Sequence, residues 1–162
     1  MPNEFELWKT LSGAEVLRAL ADGRIGRGLG GVSEYVGDRV LEADPGRVVL
    51  GWTPEEKLCN PGGTAHGGFI ALVLDNAVGL AAASLGERFV PQLTLNLNVD
   101  YLRTVEKGVP YRVIGTVTHH GRRRTVCAAR LVDPDGALAA SATASTTPNK
   151  AFERGLEGAA GA

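Results

Sequence analysis

From Gly67 to Leu85 the chain reads GGFIALVLDNAVGLAAASL, with no proline, abundant Ala and Leu, and no clear polar face. The pattern predicts a helix of about five turns. A helix that is apolar on every side must be covered on every side. The cover follows it in the chain. QLTLNLNVDYLR (92–103), YRVIGTVTHH (111–120), TVCAARLVD (125–133) and ALAASATASTT (137–147) read as strands, separated by the turn signals Glu106-Lys107-Gly108, His120-Gly121 and Asp133-Pro134-Asp135-Gly136. Upstream, residues 30–52 alternate around Asp44-Pro45-Gly46 and predict a strand pair. Ser12-Gly13-Ala14-Glu15 has the form of a capping box and opens a short helix that Gly23 is placed to end. The final segment, NKAFERGLEGAAGA, is small and polar and is expected to fray. One long helix followed by a meander of antiparallel strands gives an α+β domain whose sheet covers the helix.

At 162 residues, 44% of them hydrophobic and 22% charged, the chain suits a single globular domain. The apolar run is a poor membrane span: Asp75-Asn76 interrupts it and its neighbours are amphipathic strands, so no membrane association is expected. A net charge of −1 supplies no field that would draw the protein to nucleic acid or to a lipid surface. Cys59 and Cys127 lack CxxC spacing and are expected as free thiols without a disulfide. The first residues, MPNEFELWKT, are polar and acidic where a signal peptide would be basic and then apolar, which favours a cytoplasmic location.

Asp75 raises the question of chemistry. An ionised carboxylate in apolar surroundings is costly unless it is paired, hydrogen-bonded or titrated, so Asp75 is either a structural buried acid or a working group. The turn in front of the helix bears on the choice. Gly67 and Gly68 sit where the first free amides of a helix point outward at the positive end of its dipole, a place that stabilises a developing oxyanion and lets a carbonyl approach closely. Asn60 and His66 stand beside it with side-chain hydrogen-bonding groups. Gly67 and Asp75 nevertheless lie about 12 Å apart along the axis at the standard helical rise, too far to act on one carbonyl carbon. If they cooperate, Asp75 must act on a substrate held by the glycine turn of a second chain in a homodimer.

The residues Asn60, His66-Gly67-Gly68 and Asp75, followed by a long meander ending in Asp135-Gly136-x-Leu138-Ala139, resemble the hotdog-fold acyl-CoA thioesterases of the phenylacetate-degradation (PaaI-like) type, within the 4HBT superfamily. The similarity spans roughly residues 31–147. The resemblance implies a central helix wrapped by an antiparallel sheet, paired into homodimers and often homotetramers, with hydrolysis of an acyl-CoA to acid and free CoA. CoA is then part of the substrate, and no separate cofactor or metal is implied. The chain is expected to divide into an N-terminal helical extension (1–25), the hotdog domain (26–148) and a flexible tail (149–162). Carried over residue by residue, Asp75 is the general base or nucleophile, and the Gly67 amide polarises the carbonyl. Asn60 positions the carbonyl or the water, and His66 holds the turn. Thr94 supplies the strand hydroxyl that holds water beside the carboxylate.

CoA carries several phosphates, so a basic contact is expected near the pocket mouth. Arg122, Arg123 and Arg124 in HHGRRRT are the first candidates and Arg103 the second. Phe69, Leu72, Val73 and Leu80 are candidates for setting pocket depth. Other signals fail. Gly26 to Gly31 satisfies GxGxxG, but no strand precedes it and strand-like sequence follows. His66, His119 and His120 are too few and too scattered for zinc. No GxSxG elbow is present, and GRRR lacks the interleaved aromatics of a nucleic-acid site. The leading function is therefore acyl-CoA thioester hydrolysis. Its alternatives are a non-catalytic acyl-CoA-binding module or regulator and a hotdog dehydratase or hydratase, whose different His-containing signature is missing here.

Overall fold

The computed structural model describes residues 4–26 and 30–159. Helices α1 (Glu4–Thr10), α2 (Gly13–Ala21) and α3 (Gly31–Val36) precede strands β1 (Arg39–Asp44) and β2 (Arg47–Trp52). The long helix α4 (Gly67–Ala83) comes next, then β3 (Gln92–Tyr101), β4 (Tyr111–His120), β5 (Thr125–Val132), β6 (Leu138–Pro148) and helix α5 (Lys150–Ala159). The capping box forms as expected: Ser12 Oγ accepts from the Glu15 amide and Glu15 Oε2 accepts from the Ser12 amide. Both cysteines are free.

The six strands make one antiparallel sheet in the order β1-β2-β4-β5-β6-β3, with α4 packed across β2 to β6. Val73, Leu74, Ala77, Val78 and Ala81 of the helix are wholly buried against Val48, Val113 and Leu131 of the sheet. Contact is closest at Gly115, where an added Cβ would stand 2.2 Å from the carbonyl oxygen of Ala77.

Two expectations are corrected. The strands after α4 do not form one continuous meander, because β3 crosses to the far edge and pairs with β6, leaving β4-β5-β6 as the meander. This crossover lets the sheet wrap the helix from both sides. Residues 31–36 are helical where a strand was expected. The segment is bounded by Gly30 and Gly37, both at positive φ, and anchored where Trp52 Nε1 donates to the Val36 carbonyl at 3.0 Å. The tail after 148 carries helix α5 as far as Ala159, started where the Asn149 side chain accepts from the Ala151 and Phe152 amides.

The edge position of β3 has a consequence. Leu93, Leu95 and Tyr101, with Leu102 just past the strand's end, are about half exposed on a ten-residue strand whose outer side pairs with no other strand among the described residues. Long apolar edges of this kind are normally covered or paired.

Candidate active site

Asp75 sits at mid-length of α4 and opens into a cavity of about 570 Å³ that Thr94 of β3 also lines. Thr94 Oγ1 donates to Asp75 Oδ1 at 2.7 Å. A β-bulge positions this pair. Strict alternation would put Thr94 on the face opposite Leu97, Val99 and Tyr101. The register with β6 slips between Thr94 and Asn96, and the extra residue turns Thr94 toward the helix along with the other three.

Behind Asp75, Asn76 Nδ2 donates to Asp38 Oδ2 at 2.8 Å and reaches Ser33 Oγ at 3.3 Å. Burial pushes the Asp38 carboxyl above its ordinary value, opposed by the hydrogen bonds from Asn76 and Ser33. Asp38 Oδ1 has no partner among the described residues. A raised carboxyl holds its proton longer in the folded state than in the unfolded one, so stability falls as pH rises from the ordinary value of 3.8 through the raised one. Asp38→Asn removes that dependence. Thermal melts from acid to neutral pH should show the variant gaining on the wild type as pH rises, whereas parallel curves would show that Asp38 titrates normally.

The N-terminus of α4 faces elsewhere. His66 is the N-cap, and its Nδ1 accepts from the Gly68 amide at 2.9 Å. Gly68 is thereby engaged in holding the turn, while the Gly67 amide has no partner among the described residues. Tyr101 Oη donates to the Gly67 carbonyl at 2.8 Å, and a Cβ on Gly67 would stand 3.3 Å from the tyrosine ring. Asn60 braces the loop before the helix through backbone bonds, its amide donating to Thr64 and its carbonyl accepting from Gly63. Gly67 lines a second cavity, a groove of about 420 Å³ that also takes in Thr64, Tyr101 and Arg103.

The candidates therefore fall into two groups. Asp75 and Thr94 share one cavity, while Gly67 lies in another with His66 beside it. Arg122, Arg123 and Arg124 stand exposed on the β4–β5 turn and line neither cavity; Arg103 lines the Gly67 groove. Of the residues expected to set pocket depth, Leu80 lines the Asp75 cavity and Phe69, Leu72 and Val73 do not. Tyr101 and the Asp38–Asn76–Ser33 cluster escaped the sequence reading, although the polar pair Asp75-Asn76 inside an apolar run was a visible signal for the latter. The GxGxxG stretch falls partly on residues 27–29, outside the described residues, and the segment after it is the six-residue helix α3 instead of a strand. Among the described residues no cluster of His, Cys, Asp or Glu is arranged to hold a metal, and no helix is long and apolar enough to cross a membrane.

The thioesterase superfamily (4HBT) profile matches residues 62–140, a stretch that contains both halves of the site. A putative esterase of Saccharolobus solfataricus is 30% identical over 114 residues, which is 70% of this chain and 80% of that protein. Human acyl-coenzyme A thioesterase 13 is 29% identical over 114 residues, covering 70% of this chain and 76% of the human protein. Among solved structures, the Escherichia coli PaaI protein of the phenylacetic acid degradation operon superposes with a TM-score of 0.72 at 19% identity, over 85% of this chain and 96% of PaaI. That last likeness is one of fold.

Proposed function

The chain belongs to the thioesterase superfamily and has its hotdog fold, and on that premise we propose that it hydrolyses an acyl-CoA at a site completed by two copies of the chain. The observation that carries this reading is the separation of the two half-sites. Asp75 with Thr94 and the free Gly67 amide lie about 12 Å apart along one helix and open into different cavities. Each half is useful only opposite its complement. The exposed outer edge of β3 offers the means, since pairing with the same strand of a second copy would bury its leucines and continue the sheet across a twofold axis.

In the completed site the thioester carbonyl oxygen accepts from the Gly67 amide of one chain, aided by Asn60 of that chain. Asp75 of the other chain faces the carbonyl carbon. The Thr94 hydroxyl donates to Oδ1, which leaves Oδ2 and a threonine lone pair for water. Asp75 takes a proton from that water as its oxygen attacks, the oxyanion is held at Gly67, and collapse expels the CoA thiolate, which is then protonated. Direct attack by Asp75 through an acyl anhydride uses the same geometry. Arg103 in the Gly67 groove is the best-placed cation for a CoA phosphate; the Arg122–Arg124 turn would reach one only on the outer surface. A homodimer is the minimum this requires, and a homotetramer is compatible with it.

The test is free-thiol release from acetyl-, hexanoyl-, decanoyl- and phenylacetyl-CoA. Thiol release above the uncatalysed rate from at least one supports the reading. No release from any, with CoA still bound in calorimetry, would replace it with a non-catalytic acyl-CoA-binding module.

A further inference from the structure

Gly79 lies one helical turn beyond Asp75 on the same face of α4, and Ala83 lies one turn beyond that; all three line the Asp75 cavity. A glycine inside a helix is less stable there than alanine. Nothing in the fold requires it. A Cβ added at Gly79 would meet no atom within 4 Å, in contrast to Gly115 or Gly13, where a Cβ would strike backbone. The missing side chain leaves open space in the cavity next to the carboxylate. The same cavity is lined by Trp8, which packs edge-on against Phe89 with ring centroids 5.1 Å apart, and by Phe152. Trp8 and Phe152 come from α1 and α5, outside the segment that matches the superfamily.

We propose that Gly79 is a specificity-determining residue: an apolar acyl group bulkier than acetyl lies along α4 over Gly79, with its tip against the Trp8–Phe89 pair. This rests on the thioesterase reading. It places the acyl group on the Asp75 side of the thioester and the CoA half toward the Gly67 groove. The two terminal segments then act as the end wall that sets how long the acyl group can be, which is a role for the N-terminal extension and α5 beyond stability.

The experiment compares kcat/KM for acetyl-, hexanoyl-, phenylacetyl- and decanoyl-CoA in the wild type, Gly79→Leu and Trp8→Ala. Leucine is a good helix former, so the variant should keep its circular dichroism and melt no lower than the wild type. Gly79→Leu is expected to lower the hexanoyl-to-acetyl and phenylacetyl-to-acetyl ratios at least tenfold, in line with the roughly 10–200-fold that one methylene is worth in an apolar pocket. Trp8→Ala should raise the decanoyl-to-hexanoyl ratio. Ratios that stay put in both variants, or a loss uniform across acyl groups, would overturn the proposal. Binding of hexanamide and phenylacetamide, neutral stand-ins for the acyl half, is followed in parallel by NMR and needs no thioester chemistry. Were the wild type to hydrolyse none of the CoA esters, the thioesterase reading would fail on its own. The amides would still decide this inference: binding abolished by Gly79→Leu supports it, and binding unchanged, or absent from the wild type, overturns it.

Discussion

Replacing Asp75 with Asn is expected to lower kcat for acyl-CoA hydrolysis about a thousandfold, within the range of 10²–10⁴ that a positioned base contributes. The substitution is nearly isosteric. Its carbonyl oxygen still accepts from Thr94 Oγ1, so the cavity and the strand–helix contact persist while the proton acceptor is lost. KM should change little, because the CoA half is held elsewhere. Steady-state kinetics on the preferred acyl-CoA check both numbers. A variant retaining more than about a tenth of wild-type kcat would remove Asp75 from the chemistry, whichever of the base or nucleophile roles is considered.

The second large effect concerns the fold that holds Asp75 in place. Gly115→Ala is expected to destabilise by about 3 kcal/mol or more, toward the upper end of overpacking penalties. The added methyl would stand 2.2 Å from the Ala77 carbonyl oxygen, backbone against backbone, and neither α4 nor β4 can move without disturbing the wholly buried residues around them. For a chain of this size that corresponds to a fall in melting temperature of roughly 10 °C. Gly79→Ala on the same helix should instead stabilise by up to about 1 kcal/mol, since it gains helix propensity and meets nothing. Melting of the two variants side by side separates a glycine that the packing requires from one that it does not. If Gly115→Ala melted with the wild type, the close seating of α4 on the sheet would be wrong.

Much of this architecture was legible in the sequence because it is written in local signals. The apolar run of α4, the capping box at Ser12, the turns at Gly108 and Gly136 and the alternation of β4 and β5 each depend on residues close together in the chain. What escaped was set at a distance. The crossing of β3 to the far edge is a matter of topology, which alternation does not encode. Val and Tyr in GVSEYV look strand-like, but flanking glycines and the Trp52 bond to Val36 favour one short helix there. Thr94 could be picked out by counting along the strand, yet its approach to Asp75 depends on a bulge that shifts the register against β6. Asn60, His66, Gly67 and Asp75 stand out in the sequence as candidates; the division of Gly67 and Asp75 between two cavities is set by the fold.

A mixture of two inactive variants tests the shared site directly. Asp75→Asn removes the base, and Gly67→Pro removes the carbonyl-binding amide at a first helical position where proline is tolerated, after a residue already in the extended conformation that proline prefers before it. Each variant alone should be close to inactive. After unfolding and refolding together, half the dimers of a random mixture are hybrids with one intact site of two, so activity should recover to about a quarter of wild type. Hybrids verified by mass that show no recovery would contradict a site built from Asp75 of one chain and Gly67 of the other.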